Sequence, residues 1–299
     1  LALHRPTSKP KSTDVTYLHN QETMNIVNIL SEIEKIDGEI YERLSPRRAA
    51  MKQFYGFSTK LAAAAVPIAL GSMFNKAYGQ SAPVAVEGVL NYALTLEYLE
   101  YYFYQKAAAT AGLIPAGPGV GAIQTIRDHE MAHVNLLKGA ITGLSKTPVA
   151  FTADQFDFTA KGTFPTVFSD YPTFLAVAQA LEDTGVRAYK GQATNLINNP
   201  GVLQTALQIH SVEARHASHI RQMRRAAAGG GRTQMKPWIT GANDSGVAQV
   251  DAVYKGEDNV VQGGVNLTSL GYSANAATEA FDEALNMAEV NAIAGLFVK

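Results

Sequence analysis

The sequence predicts an all-α protein: a four-helix bundle with a long crossover between helices 2 and 3, then a loop-rich and helical C-terminal extension. Three observations predict it. Apolar residues recur at steps of three and four through four segments between residues 83 and 228. Gly/Pro punctuation, AGLIPAGPGVG at 111–121 and NNPG at 198–201, separates the first segment from the second and the third from the fourth. Between the second and third segments, residues 143–171 have no helical period and are rich in Thr, Phe and Pro.

The composition suits a large core. The chain has 299 residues, 46% hydrophobic and 17% charged, with a formal net charge of -1. No global basic field exists to hold nucleic acid. With no cysteine, disulfides, thiolate metal sites and cysteine nucleophiles are excluded, so any metal must be held by His, Asp and Glu.

Taken from the N-terminus, residues 1–23 are polar and rich in Pro, Ser, Thr and Lys, and read as a disordered or non-native upstream extension before Met24. Residues 24–79 read as an export leader. Arg47, Arg48, Lys52 and Lys60 precede the weakly apolar run LAAAAVPIAL at 61–70, and Ala77-Tyr78-Gly79 follows as a small-x-small cleavage pattern. The Arg47-Arg48 pair suggests the twin-arginine route. The expected location is therefore periplasmic or extracellular, with the cytoplasm as the alternative if this segment is an ordinary helix. No apolar run reaches the ~18 residues of a membrane span, so no stable membrane insertion is expected after leader removal.

The first bundle segment carries Val86, Leu90, Ala93, Glu97, Tyr101 and Tyr104 on one stripe. The second carries Ile123, Ile126, Glu130, His133, Leu137 and Ile141. The third carries Leu175, Ala178, Glu182, Gly185, Tyr189 and Leu196. The fourth carries Val202, Ala206, Ile209, Glu213, His216, Ile220 and Met223. Short links make each pair antiparallel neighbours. A helix of about 25 residues is ~38 Å long, and the link between the second and third segments, residues 143–171, is long enough to run back along it. Residues 229–299 form a wrap: Gly229-Gly230-Gly231 ends the bundle, 232–273 are loop-like with Trp238 as an anchor, and 274–297 return to a helical period through Ala277, Phe281, Leu285, Ala288 and Ile293. This tail is a candidate cover for an apolar face or a homo-oligomer contact.

Each bundle stripe holds an ionisable residue where an apolar one belongs: Glu97, Glu130-x-x-His133, Glu182 and Glu213-x-x-His216. A buried carboxylate protonates, pairs or binds a cation. An i,i+3 pair shares one helix face. Glu97 precedes Glu130 by 33 residues and Glu182 precedes Glu213 by 31, so the pattern of Glu, helix hairpin, Glu-x-x-His occurs twice. Two such hairpins about a pseudo-two-fold axis bring all six side chains to one place. Four glutamates balance two divalent metals, and the oxygen-rich, sulfur-free set suits iron or manganese and admits zinc. Glu100, one turn from Glu97, is its rival. Glu97 is preferred because Tyr104 follows it by seven, as Tyr189 follows Glu182.

Residues 83–228 resemble the ferritin-like superfamily, and more closely the bacterial ferritin-like domain branch that includes desiccation-related proteins. The resemblance rests on NYALTLEYLEYYFY (91–104), DHEMAHV (128–134), LEDTGVRAY (181–189) and HSVEARHASHI (210–220), with WIT (238–240), FDEALNMAEVNAI (281–293) and the leader in support. It implies a ferritin-like domain over 80–299 and a dimetal carboxylate site. Glu97 and Glu182 would be terminal ligands, Glu130 and Glu213 bridges, and His133 and His216 each on one metal. Iron is favoured, with manganese as the alternative. Tyr104 and Tyr189 would lie near the metals as hydrogen-bond donors or redox-active side chains.

Other charged residues read as ordinary helix features. His129, His210 and His219 read as half-exposed neighbours of the ligands. Arg215, Arg221, Arg224 and Arg225 read as a solvated helix end that complements the helix dipole. Asp183 and Arg187 read as an i,i+4 pair near the site or on the surface. Asn266-Leu267-Thr268 matches a glycosylation sequon by chance. The expected function is redox chemistry with metal ions and small oxidants: Fe²⁺ oxidation, or dioxygen or peroxide reduction. The alternative is a non-enzymatic, stress- or desiccation-associated envelope protein whose metal is structural or absent. Cage storage fits poorly with so long a tail.

Overall fold

The computed structural model describes residues 85–228, 235–242 and 244–299. The readings of an upstream extension, an export leader and the terminating Gly229-Gly230-Gly231 lie outside the described residues.

Four long helices form the bundle: α1 (Val86–Ala109), α2 (Pro118–Gly143), α3 (Tyr171–Gln192) and α4 (Pro200–Ala227). Prolines stand in the first turn of α2, α3 and α4, where the missing N–H has no partner to lose. Asp170 caps α3 by accepting from Thr173 N at 2.9 Å. The third periodic segment ends earlier than its stripe suggests: α3 stops at Gln192, and a 3-10 turn, Ala193–Leu196, carries Leu196 into the core.

Contacts fix the helix directions. Tyr104 on α1 reaches Glu182 on α3, while Tyr189 on α3 reaches Glu97 on α1. Moving seven residues forward on one helix moves seven back on the other, so α1 and α3 are antiparallel. The short α1–α2 link makes those two antiparallel as well, so α2 and α3 are parallel. Parallel neighbours cannot be joined by a turn. Residues 144–170 therefore travel the length of the bundle, about 39 Å for the 26 residues of α2. Their aromatic side chains hold them down: Phe158 packs edge-on against Phe103 at 5.8 Å between centroids, and Phe103 stacks on Phe174 at 5.2 Å.

The C-terminal wrap packs on α3. It contains a 3-10 helix (Ala248–Tyr254), a two-residue hairpin of β1 (Val261–Gln262) with β2 (Val265–Asn266), a 3-10 helix (Leu267–Leu270), and the short helices α5 (Ala274–Thr278) and α6 (Met287–Ala294). The single helix expected over 274–297 is thus two helices with an extended break. Two interactions cause the break. Asn286 and Glu289 form a capping box that starts α6 afresh, at 3.0 Å in each direction. Leu285 N bonds Arg187 O at 3.2 Å, laying the chain directly on α3. The end of the chain then pairs with the crossover: Asp157 N donates to Phe297 O at 2.7 Å and Lys299 N to Gln155 O at 3.0 Å.

This wrap overturns two readings of charge. Arg221 and Arg224 are buried, not a solvated helix end. Arg221 bridges Asp183, at 2.5 Å from Nη2, and Asp244; Arg224 Nη1 donates to Gln179 Oε1 at 2.6 Å. Burial alone would lower the Arg221 pKa, but Asp183, Tyr254 and Asp244 hold it above the ordinary value. Asp183 and Arg187 are both buried, and each takes a different ion-pair partner. Tyr254 OH also donates to Asp183 Oδ2 at 2.7 Å, and Arg187 pairs with Glu257 at 2.8 Å while donating to the carbonyls of Val253, Lys255 and Glu283. Helix α3 is consequently buried on nearly every side. Trp238 is half-buried, and its carbonyl accepts weakly from Arg221 at 3.4 Å. Among the described residues no helix is long and apolar enough to cross a membrane.

Gly191 permits the close approach of wrap and helix. A Cβ there would stand 1.9 Å from Leu285 O, whereas one at the exposed mid-helix Gly139 would meet nothing within 4 Å. Gly191→Ala is expected to cost about 1–3 kcal/mol by overpacking backbone against backbone. Gly139→Ala is expected to gain about 0.5–1 kcal/mol from helix propensity. Thermal unfolding should show opposite shifts for these two identical substitutions.

Candidate metal centre

Six side chains of the doubled motif converge between the four helices. Glu97, Glu130, Glu182 and Glu213 are each 0% exposed, with His133 at 7% and His216 at 5%. They form two overlapping groups: Glu97, Glu130, His133 and Glu213, then Glu130, Glu182, Glu213 and His216. Within each group the candidate ligand atoms all lie within 4.8 Å of one another. Glu130 and Glu213 belong to both. His133 Nδ1 lies 3.0 Å from Glu97 Oε2, 3.2 Å from Glu130 Oε2 and 3.1 Å from Glu213 Oε1. His216 Nδ1 lies 2.8 Å from Glu130 Oε1 and 3.4 Å from Glu182 Oε2.

The tyrosines cross the bundle. Tyr104 OH donates to Glu182 Oε1 at 2.5 Å, and Tyr189 OH donates to Glu97 Oε1. Each therefore serves the glutamate of the opposite helix, not the one seven residues before it, because α1 and α3 run antiparallel. Burial, then the adjacent carboxylate, lifts both phenols well above their ordinary pKa. They are neutral donors.

Glu100 is also buried, 3% exposed, but it stands outside both groups. It corresponds to Gly185 on α3, three residues after Glu182 as Glu100 is after Glu97. A Cβ at Gly185 would lie 3.2 Å from Glu213 Oε2 and 3.4 Å from Glu100 Oε1. The glycine thus leaves room for a fifth carboxyl beside the cluster. His129 is exposed, yet its Nδ1 lies 3.0 Å from His216 Nε2, with the rings 15° apart in plane. Its position directly before Glu130 was the only sequence signal. His210 is half-buried on Val186 O, and His219 is exposed.

Burial opposes so many charges at once. It lifts Glu97 to about 7, against the lowering effect of His133. It raises Glu213 and Glu100 well above the carboxylate range, with their acidic neighbours adding to the effect. It also raises Glu182, with His216 opposing. Glu130 is the exception: burial pushes it up, but His133 and His216 outweigh that and bring it to about 2. The imidazoles move the other way. Burial would lower His216, but Glu182 and Glu130 lift it to about 11, and His133 is raised by Glu130, Glu213 and Glu97 in the same manner.

The donor set fits a divalent metal. Glu130 Oε1, Glu182 Oε2, both oxygens of Glu213 and His216 Nδ1 are buried without a hydrogen bond. The short His216–Glu130 approach is out of hydrogen-bonding alignment. Orphaned buried acceptors of this kind are costly unless a cation satisfies them. Carboxylate and imidazole ligands with no sulfur suit iron, manganese or zinc.

Without metal, the pKa shifts give a signed pH dependence. Glu97 is raised from 4.5 and His216 from 6.5. For both, the folded state binds more protons than the unfolded chain, so stability is lost as pH rises through the folded pKa values of about 7 and about 11. The metal-free protein is therefore expected to melt at progressively lower temperature between about pH 6 and about pH 9. A melting temperature that rises across this range would contradict the electrostatics described here.

A family model of the ferritin-like domain matches residues 86–226, the span from the start of α1 to the last turn of α4. No curated protein and no solved structure matches the chain. The helix order, the long crossover and the buried Glu/His cluster agree with that match. The bundle of this chain, residues 86–226, belongs to the ferritin-like domain family.

Proposed function

We propose that this protein binds two divalent metal ions, iron with manganese as the alternative, and performs redox chemistry there: Fe²⁺ oxidation, or reduction of dioxygen or peroxide. The observation that carries the reading is the pair of four-residue groups sharing Glu130 and Glu213. Residues common to both groups are suited to span two ions. Glu97 with His133, and Glu182 with His216, would complete one ion each. When bound, such a metal pair supplies electrons and open positions to a small oxidant.

The chain's own residues provide the setting. Four glutamates offset the charge of two divalent ions, so metal binding would replace the protons that burial otherwise forces onto the cluster. Tyr104 and Tyr189 hold Glu182 and Glu97 by hydrogen bonds, which limits the freedom of the two terminal carboxylates. Glu100, whose pKa burial and Glu213 push well above the carboxylate range, lies beside the shared Glu213 carboxylate across Gly185.

Elemental analysis of the full chain after reconstitution with Fe²⁺ or Mn²⁺ tests the site. About two ions per chain are expected, from the match of four carboxylates to two divalent charges. Glu130→Ala and Glu213→Ala should each lose most of the metal, since each removes a ligand from both groups. Glu97→Gln should weaken one ion, while Glu100→Gln should keep both. Two ions retained in Glu130→Ala would overturn the assignment. Rapid mixing of the loaded protein with dioxygen then tests the chemistry: bound Fe²⁺ that stays unoxidised would favour the structural-metal alternative.

A further inference from the structure

The two halves of the site are related residue by residue. Glu130 and His133 on α2 correspond to Glu213 and His216 on α4, and the flanking core residues Ile126 and Leu137 correspond to Ile209 and Ile220 at the same spacing. The correspondence fails at one position that touches a histidine. Directly before Glu130 stands His129; directly before Glu213 stands Val212.

The consequence is on the far side of each imidazole. His216 turns Nδ1 toward Glu130 and Glu182, and its Nε2 meets His129 Nδ1 at 3.0 Å. His133 likewise turns Nδ1 toward Glu97, Glu130 and Glu213. No hydrogen bond to its Nε2 is present among the described residues, and Val212, the counterpart of His129, has no hydrogen-bonding side-chain atom.

We propose that His129 is a positioning residue that makes the two metal positions unequal, the Glu182–His216 position binding its ion more tightly than the Glu97–His133 position. This rests on the dimetal reading above. A ligating histidine gains from a partner on its other nitrogen in two ways. The acceptor fixes the tautomer, so Nε2 carries the proton and Nδ1 keeps its lone pair for the metal. It also makes the imidazole a better donor and stops its ring from turning. Loss of such an outer partner typically costs about 10- to 100-fold in metal affinity. His129 is exposed at the bundle surface, so its substitution leaves no internal cavity.

The test is a Co²⁺ titration of the metal-free full chain, read by visible absorption, which reports both occupancy and ligand geometry. Two steps are expected, separated by at least about 10-fold. His129→Val, which copies the residue of the other half, should weaken the tighter step about 10- to 100-fold and bring the two together. His129→Gln, which keeps an acceptor, should restore part of the separation. Val212→His should tighten the weaker step. Circular dichroism and thermal melting of each variant separate these effects from misfolding. Two equal steps in the unsubstituted protein, or a separation that His129→Val leaves intact, would overturn the proposal while leaving the dimetal reading standing. A folded protein that binds no Co²⁺, Fe²⁺ or Mn²⁺ at all would overturn both.

Discussion

Burial of carboxylates in a space with too few cations governs this structure. Five glutamates sit inside one helical bundle, and only two histidines face them. A lone buried carboxylate is so costly that it gives up its charge. Here the cost is distributed: burial raises the pKa of Glu97, Glu100, Glu182 and Glu213, the carboxylates raise those of the two imidazoles, and two tyrosines donate hydrogen bonds. The rest of the bundle is built to keep these groups in place despite their mutual repulsion. Its apolar stripes supply the favourable burial that offsets the polar centre.

A second polar system holds the wrap to the bundle. Around Asp183, Arg187 and Arg221, cations and anions are nearly matched, and the remaining donors meet backbone carbonyls of the wrap. Such groups contribute little net stability compared with an apolar packing, but leaving any one of them unpaired is expensive. They therefore fix where the wrap lies. The contrast between the two systems is one of degree: beside Arg187 one carboxylate oxygen, Glu257 Oε2, lacks a hydrogen bond, whereas five buried donor atoms of the metal centre lack one.

The bundle and the six convergent residues were legible because both signals are local. Helical periodicity shows which face is buried, and a Glu-x-x-His on that face conflicts with burial whatever lies opposite. The crossed tyrosine bonds were not legible, since Tyr104 and Tyr189 each find a glutamate on another helix. Arg221 and Arg224 were misread for the same reason. At the end of a helix an arginine is ordinarily solvated, and its partners Asp183, Asp244 and Gln179 come from distant segments. The wrap's own break was written in the sequence as Asn286-x-x-Glu289, a helix-start pattern that an apolar period running through Leu285 concealed.

The shared glutamates also bear on the order of assembly. Helices α1 and α2 form one hairpin and α3 and α4 another, each closed by a short link and each able to form from contacts near in sequence. Neither hairpin holds a complete set of four facing groups, because Glu130 and Glu213 come from opposite hairpins. Docking them is the step at which the carboxylates first crowd together, so the barrier to joining the halves is electrostatic as well as entropic. An ion captured by one hairpin would act as the seed for the other, and the wrap, anchored among the described residues on α3, α4 and the crossover, would close last.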